Sequence, residues 1–320
     1  MKILFDFEIS EEYVNRLKQL APEAEFVVSD SEDKTKKEIV DSDLLFDFRG
    51  IEREDIERAE NLKWIQTWTA GVDKFMEDDF KKVLKEKDII LTNMSGVHSN
   101  VIAEHSLGFM INFSRRFCDF HEQKNNKDWN RLKVDQLAGK TLAVVGLGSI
   151  GSEIARKAKV FEMNVLGVNR SGEGDFDHVD QLYGQDELNK ALELADYVVV
   201  IVPLTPETTE MIGEKEFAAM KESAYFINMA RGEVVDEPAM IAALREEKIA
   251  GAGLDVFAKE PLPEDSPLYE LDNVLITPHV GGAFPGYNKK AIKIVEENLE
   301  KFVKGKKEEM INIIDYNLGY

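Results

Sequence analysis

The sequence predicts an α/β fold with two doubly wound parallel-sheet domains. Three observations carry that expectation. Short β-branched or aliphatic runs alternate with helical patterns almost throughout. The 320 residues exceed what one ordinary core organises. A glycine-rich turn at 146–151 follows one apolar run and opens a helical pattern, so a second α/β series starts in mid-chain.

The first series has candidate strands at residues 2–5, 25–28, 44–46, 63–67 and 89–92, with helical patterns between them. Residues 10–20 form one such helix, with Ser10 as N-cap and Glu12 in the first turn, where an acidic side chain complements the helix dipole. Residues 100–116 read as a long helix that is apolar on most of its circumference, through Val101, Ile102, Ala103, Leu107, Phe109, Met110, Ile111 and Phe113. A helix of that kind is buried, here between domains or between subunits. The polar stretch 121–133, which contains KNNKDWNR, reads as surface loop. The second series begins at Lys140, with candidate strands at 141–145, 164–168, 197–202, 224–228, 251–256 and 274–277. A last helix over 285–305 leads back. The economical division is one domain from both chain ends (1–99 and 285–320) and a second over 100–284, with a cleft between them.

Composition narrows the function classes. Hydrophobic residues make up 43%, a globular share. Lysines and arginines number 40 against 61 acidic residues, a net charge of -21. Such a surface repels nucleic acid and anionic lipid, so neither is an expected partner. An anionic substrate then needs a local basic pocket. The longest apolar runs are far short of a membrane span, and the start MKILFDFEIS lacks a signal-peptide pattern. The single cysteine, Cys118, forms no internal disulfide and is expected to be a buried small apolar residue. A cytoplasmic location is the expectation, and no metal ion is expected.

Residues 146–151 read GLGSIG between the run TLAVV and the helical SEIARKAKVF. Gly146 permits the tight turn, Gly148 admits a pyrophosphate against backbone, and Gly151 allows close helix–strand packing. The helix N-terminus adds free N–H groups and partial positive charge. A dinucleotide is therefore the expected cofactor. After the next strand stand Asn169, Arg170 and Ser171, with no carboxylate until Glu173. NAD sites usually place an acid there for the ribose 2′-hydroxyl. Asn169 removes its repulsion and Arg170 pairs with a 2′-phosphate, which favours NADP, with NAD as the alternative. Arg170 as a plain solvated loop charge remains open.

Arg231, Glu260 and His279 each follow a strand-like run, and ligands of open parallel sheets sit beyond the strands' carboxyl ends. Together they suit reduction of a 2-oxo acid. A planar guanidinium holds a carboxylate and polarises a carbonyl, an imidazole donates a proton, and a carboxylate bonded to that imidazole favours its charged form. Singly, each has an ordinary alternative: a surface ion pair, a solvated turn, a structural histidine.

The stretches TAGVD (69–73), AEH (103–105), GLGSIG (146–151), PLTPET (203–208), NMARGEVVDEPAM (228–240), GAGLDVFAKEPLP (251–263) and TPHVGG (277–282) resemble the D-isomer-specific 2-hydroxyacid dehydrogenase family, in its order and over most of the chain. The resemblance implies a flavodoxin-like substrate-binding domain, a Rossmann cofactor domain and a homodimer. It implies that Arg231 binds substrate, that His279 is the acid/base with Glu260 as its partner, and that Asp255 holds the nicotinamide carboxamide. Backbone N–H groups of Ala70 and Gly71 are implied to take the substrate carboxylate, although an ordinary turn explains them too. Cofactor contacts are expected along the matching stretches and at the end of the strand after the glycine turn, at Gly146, Gly148, Ser149, Ile150, Gly151, Asn169, Arg170, Ser171, Pro203, Thr208, Met229, Ala230, Arg231, Asp255, His279 and Gly281. Many members carry His where this chain has Ile201. Asn169–Arg170 resembles the glyoxylate/hydroxypyruvate reductase branch. The alternatives are a phosphoglycerate dehydrogenase, for which no extra regulatory domain or basic cluster is evident, and a nucleotide-sensing, corepressor-like binding protein. Trp64, Trp68, Met94 and Tyr320 are candidate pocket residues, with core packing the stronger expectation for the apolar ones.

Overall fold

A computed structural model describes residues 1–47 and 50–320. Among them the strands, in chain order, are β1 (Lys2–Phe5), β2 (Glu25–Val28), β3 (Leu44–Phe46), β4 (Trp64–Gln66), β5 (Ile90–Thr92), β6 (Thr141–Val145), β7 (Asn164–Asn169), β8 (Gln181–Gly184), β9 (Tyr197–Val200), β10 (Tyr225–Asn228), β11 (Gly251–Leu254) and β12 (Val274–Ile276). The α-helices are α1 (Glu11–Leu20), α2 (Glu32–Glu38), α3 (Arg53–Arg58), α4 (Asp73–Met76), α5 (Asp78–Glu86), α6 (Ser99–Arg115), α7 (Phe117–Asn126), α8 (Ser149–Val160), α9 (Leu188–Leu194), α10 (Glu214–Ala219), α11 (Glu237–Arg245) and α12 (Tyr287–Val303). The chain divides into two compact units, Met1–Val97 with Phe284–Tyr320, and His98–Ala283.

In the first unit the strands run parallel in the order β2-β1-β3-β4-β5, the flavodoxin-like arrangement. Alternate strand residues serve opposite faces. Ile3, Phe5, Leu44, Phe46 and Trp64 pack with Leu17 of α1 and with Ala291, Val295 and Leu299 of α12. Leu4, Leu45, Ile65 and Leu91 pack on the other side with Ile56, Phe80 and Leu84. Both faces are covered, as a parallel sheet requires. Ser10 caps α1 by accepting from Tyr13 N at 3.5 Å, with Glu11 and Glu12 in the first turn. Trp64, Trp68 and Met94 are core residues at 0%, 8% and 0% exposure, whereas Tyr320 is exposed.

The second unit holds a parallel sheet in the order β12-β11-β10-β9-β6-β7-β8. Counted from β8 to β11 this is the Rossmann order, with β12 added at one edge. The order reverses between β6 and β9, where such sheets bind ligands. Helix α6 packs on α8 through Ala103, Leu107 and Met110. It is less completely covered than its composition suggests: Glu104, Gly108 and Arg115 form an exposed stripe, and Ile102 and Ile111 are half-buried.

Two expectations need correction. Part of the stretch read as loop over 121–133 is helix, because α7 runs to Asn126. No residue of α7 is buried, so no apolar period marks it. Local bonds hold it instead, with Arg116 paired to Asp119 and Cys118 N donating to Asn112 Oδ1 at 3.1 Å. For the same reason Cys118 is exposed rather than buried. The short edge strand β8 has no counterpart among the expected strands.

Candidate active site

The glycine turn has the shape a pyrophosphate needs. Gly146 lies at φ +104°, and a Cβ there would stand 2.4 Å from Ile201 O. A Cβ on Gly151 would stand 1.9 Å from Gly146 O, so helix and turn touch only because neither residue has a side chain. At Gly148 nothing lies within 4 Å of the same position, which leaves open space at the start of α8. The start of a 12-residue helix directs its first-turn N–H groups and the positive end of its dipole toward this space, which favours an anion. The residues therefore fit a dinucleotide. Ser149 and Ile150 stand in that first turn.

At the end of β7, Asn169 folds the loop. Its Oδ1 accepts from Gly172 N at 2.7 Å and its Nδ2 donates to Glu173 O at 2.9 Å. Arg170 and Ser171 are exposed at the tip of this loop. Beyond β9, Thr208 Oγ1 donates to Pro203 O at 2.7 Å and accepts from Thr205 N at 2.8 Å, which fixes the 203–208 turn.

Buried Asn228, at 2% exposure, shapes the loop after β10. It accepts from Ala230 N and donates to Arg231 O, both at 3.0 Å. Arg231 Nη1 donates to Ala230 O at 2.8 Å. A Cβ on Gly232 would lie 1.8 Å from Phe257 C, so the Arg231 loop and the loop after β11 meet backbone to backbone. That second loop carries Glu260, whose Oε1 accepts from Phe257 N at 3.0 Å. Its Oε2 stands 2.7 Å from His279 Nδ1. The structure thus joins Glu260 to His279 directly and brings the Arg231 loop alongside.

Asp255, 3% exposed, organises the loop after β12. Its Oδ1 accepts from Thr277 Oγ1 at 2.5 Å and from Val280 N at 3.0 Å, and its Oδ2 accepts from Gly281 N at 2.8 Å. A Cβ on Gly281 would press on Met229 Cε at 2.5 Å, which places Met229, Asp255 and Gly281 in one cluster. Two residues without an expected role support this loop. His105 Nε2 lies 3.0 Å from Thr277 Oγ1, and His98 Nδ1 lies 3.0 Å from Gly282 O. Burial holds the His98 imidazole below its ordinary value, which favours its neutral form. For His105 the readable signal was the AEH stretch, 103–105, among the segments that carry the family resemblance. Ala70 and Gly71 lie in the first unit, in the loop between β4 and α4, both half-exposed.

Residues 107–281 match the family model described as D-isomer specific 2-hydroxyacid dehydrogenase, NAD binding domain. The chain belongs to the D-isomer specific 2-hydroxyacid dehydrogenase family. By that membership it is a nicotinamide-dependent oxidoreductase. It is 35% identical, over its whole length, to the D-3-phosphoglycerate dehydrogenase of Methanocaldococcus jannaschii, of which it spans 61%. It is 35% identical over 80% of its length to the glyoxylate reductase of Thermofilum pendens, covering 76% of that protein. A family structure from Xanthobacter autotrophicus Py2, in complex with NADPH and MES, superposes with a TM-score of 0.84 at 28% identity, covering 100% of this chain and 99% of that one. Among the described residues no helix is long and apolar enough to cross a membrane.

Proposed function

We propose that the protein reduces small 2-oxo acids of the glyoxylate or hydroxypyruvate type to D-2-hydroxy acids, with NADPH preferred over NADH. The observation that carries this reading is the Glu260–His279 pair at 2.7 Å, set beside the Arg231 loop beyond the carboxyl ends of the strands, where the glycine turn also lies. Gly146, Gly148, Ser149, Ile150 and Gly151 would hold the pyrophosphate, and the 203–208 turn with Met229, Ala230, Asp255 and Gly281 would flank the nicotinamide. That cofactor, when bound, supplies a hydride for the carbonyl carbon.

The chain's own residues do the rest. Arg231 binds the carboxylate and polarises the carbonyl with its guanidinium fork. Ala70 and Gly71 give backbone N–H groups to the same carboxylate. With Glu260 ionised, His279 Nδ1 is the donor to it, and Nε2 is left to hand a proton to the nascent alkoxide. The His279 side chain is 49% exposed, so solvent restores that proton after turnover.

The absence of a carboxylate beside Arg170 and Ser171 supports NADPH, as does the NADPH in the Xanthobacter relative. The half-buried apolar residues of α6, together with Trp129 at 95% exposure, support a homodimer, and the single cysteine supports a reducing, cytoplasmic setting. The 35% identity to a phosphoglycerate dehydrogenase keeps one other substrate in the test. Initial rates with glyoxylate, hydroxypyruvate, pyruvate and 3-phosphohydroxypyruvate, each with NADPH and NADH, decide the matter. The expected result is fastest turnover of an unphosphorylated acid with NADPH. Fastest turnover of the phosphorylated acid replaces the substrate assignment, and no turnover of any acid sinks the enzymatic reading.

A further inference from the structure

In the first unit, five consecutive carbonyl groups just after β4 are each taken by a side chain. Gln66 Nε2 donates to Thr67 O at 3.0 Å, Tyr287 Oη to Trp68 O at 2.5 Å and Thr67 Oγ1 to Thr69 O at 2.8 Å. Asn93 Nδ2 donates to Ala70 O at 2.7 Å, and Thr69 Oγ1 to Gly71 O at 2.8 Å. Among the described residues, the backbone N–H groups of Trp68, Thr69, Ala70 and Gly71 donate to no other part of the chain. A folded segment pairs most of its donors and acceptors alike. Here the acceptors are filled and the donors are left over, in a stretch where Thr69 is exposed and Ala70 and Gly71 are half-exposed. Surplus N–H groups in one turn attract an anion.

Trp68 is the fixed point of this turn. The residue is 8% exposed, and its ring centroid lies 4.5 Å from that of Phe7. Its Nε1 donates to Asn288 Oδ1 at 2.9 Å while its carbonyl takes the Tyr287 hydroxyl. Both partners open α12, more than two hundred residues further along the chain. Burial first, and the charge of Asp47 second, push the Tyr287 phenol above its ordinary value, so it stays protonated as a donor.

The geometry points to Tyr287 and Asn288 as positioning residues: the first turn of α12 holds Trp68 by its carbonyl and its indole N–H, which fixes the turn so that the neighbouring amides stay committed to the substrate carboxylate. This rests on the 2-oxo acid reading above. The hydroxyl of Tyr287 matters for substrate affinity, not for the reacting atoms. A carboxylate is held alike before and during the reaction, so its loss appears in KM rather than in kcat.

The test compares Tyr287→Phe and Asn288→Ala with Tyr316→Phe. The last removes a similar bond in the same unit, from Tyr316 Oη to Ile89 O at 2.6 Å, and serves as the control. The readouts are kcat and KM for the 2-oxo acid turned over best, KM for NADPH, the inhibition constant of oxamate, and the melting temperature. Tyr287→Phe should raise the oxo-acid KM and the oxamate constant together, by roughly 5- to 20-fold, with kcat and the NADPH KM within about twofold. Asn288→Ala should move the same two constants in the same direction, and it carries the test if Tyr287→Phe does not fold. Tyr316→Phe should lower the melting temperature and leave both constants in place. Unmoved constants in an active Tyr287→Phe enzyme overturn the positioning role alone. So does a uniform fall in kcat and both affinities that follows the melting temperature. A wild-type protein inactive with every 2-oxo acid overturns the parent reading as well.

Discussion

His279 occupies the left-handed region, at φ 51°, which an L side chain adopts at some cost. What holds it there is visible: its N–H donates to Asp255 O at 2.9 Å and Thr277 O at 3.0 Å, and the Asp255 carboxylate takes the next two amides. Replacing His279 by Ala is expected to lower kcat by about 10²-fold or more while weakening NADPH binding far less, measured by steady-state rates and cofactor fluorescence. Asp255 acts one step further back. Asp255→Ala leaves the amides of Val280 and Gly281 and the Thr277 hydroxyl without their acceptor. A loss of roughly 1–3 kcal/mol in unfolding free energy should accompany the fall in turnover. If turnover falls with stability unchanged in denaturant titrations, Asp255 does not organise the loop.

At the scale of elements, legibility followed the apolar period. Strands such as β1, β2, β3 and β6 were readable to the residue because each is a short aliphatic or aromatic run between polar turns. α7 was not, since a helix without a buried face carries no such signal, and β8 is four residues at a sheet edge. Glycine spacing and strand-end polar residues made most of the candidate site legible in the sequence. The Glu260–His279 distance, the loop-folding role of Asn169 and the support from His98 and His105 depend on contacts between distant segments, which one sequence does not display. Elements are also joined by buried polar nodes. Asn298 of α12, fully buried, donates to Ile311 O at 3.0 Å and accepts from Ile311 N at 2.7 Å. Asn298→Leu keeps the volume but strands both groups, so about 1–3 kcal/mol of stability should be lost in urea unfolding. At the edge of the second sheet, Asp180 accepts from Lys159 Nζ at 2.8 Å and from Val165 N at 2.7 Å. The ammonium first, then that N–H, hold its carboxyl below the ordinary value. Its contribution is complete above about pH 3.9 and disappears as pH falls through the lower folded value. Asp180→Asn should therefore flatten the acid limb of a melting-temperature profile between roughly pH 2 and 5, and an unchanged limb would remove Asp180 from that account.

For the whole molecule, connectivity matters more than any single bond. The first unit is assembled from Met1–Val97 and Phe284–Tyr320, while His98–Ala283 is continuous. A fragment of residues 98–283 should melt cooperatively on its own, whereas residues 1–97 alone, without Ala291, Val295 and Leu299 against the sheet, should show no cooperative transition by circular dichroism. On the ribosome the same connectivity sets a timetable. Residues 1–97 must wait, with one sheet face bare, until α12 has been made, while residues 98–283 can finish folding first. Chaperone dependence should therefore concentrate on residues 1–97, and a stop codon just before α12 should leave the sheet face of that unit uncovered while residues 98–283 still fold.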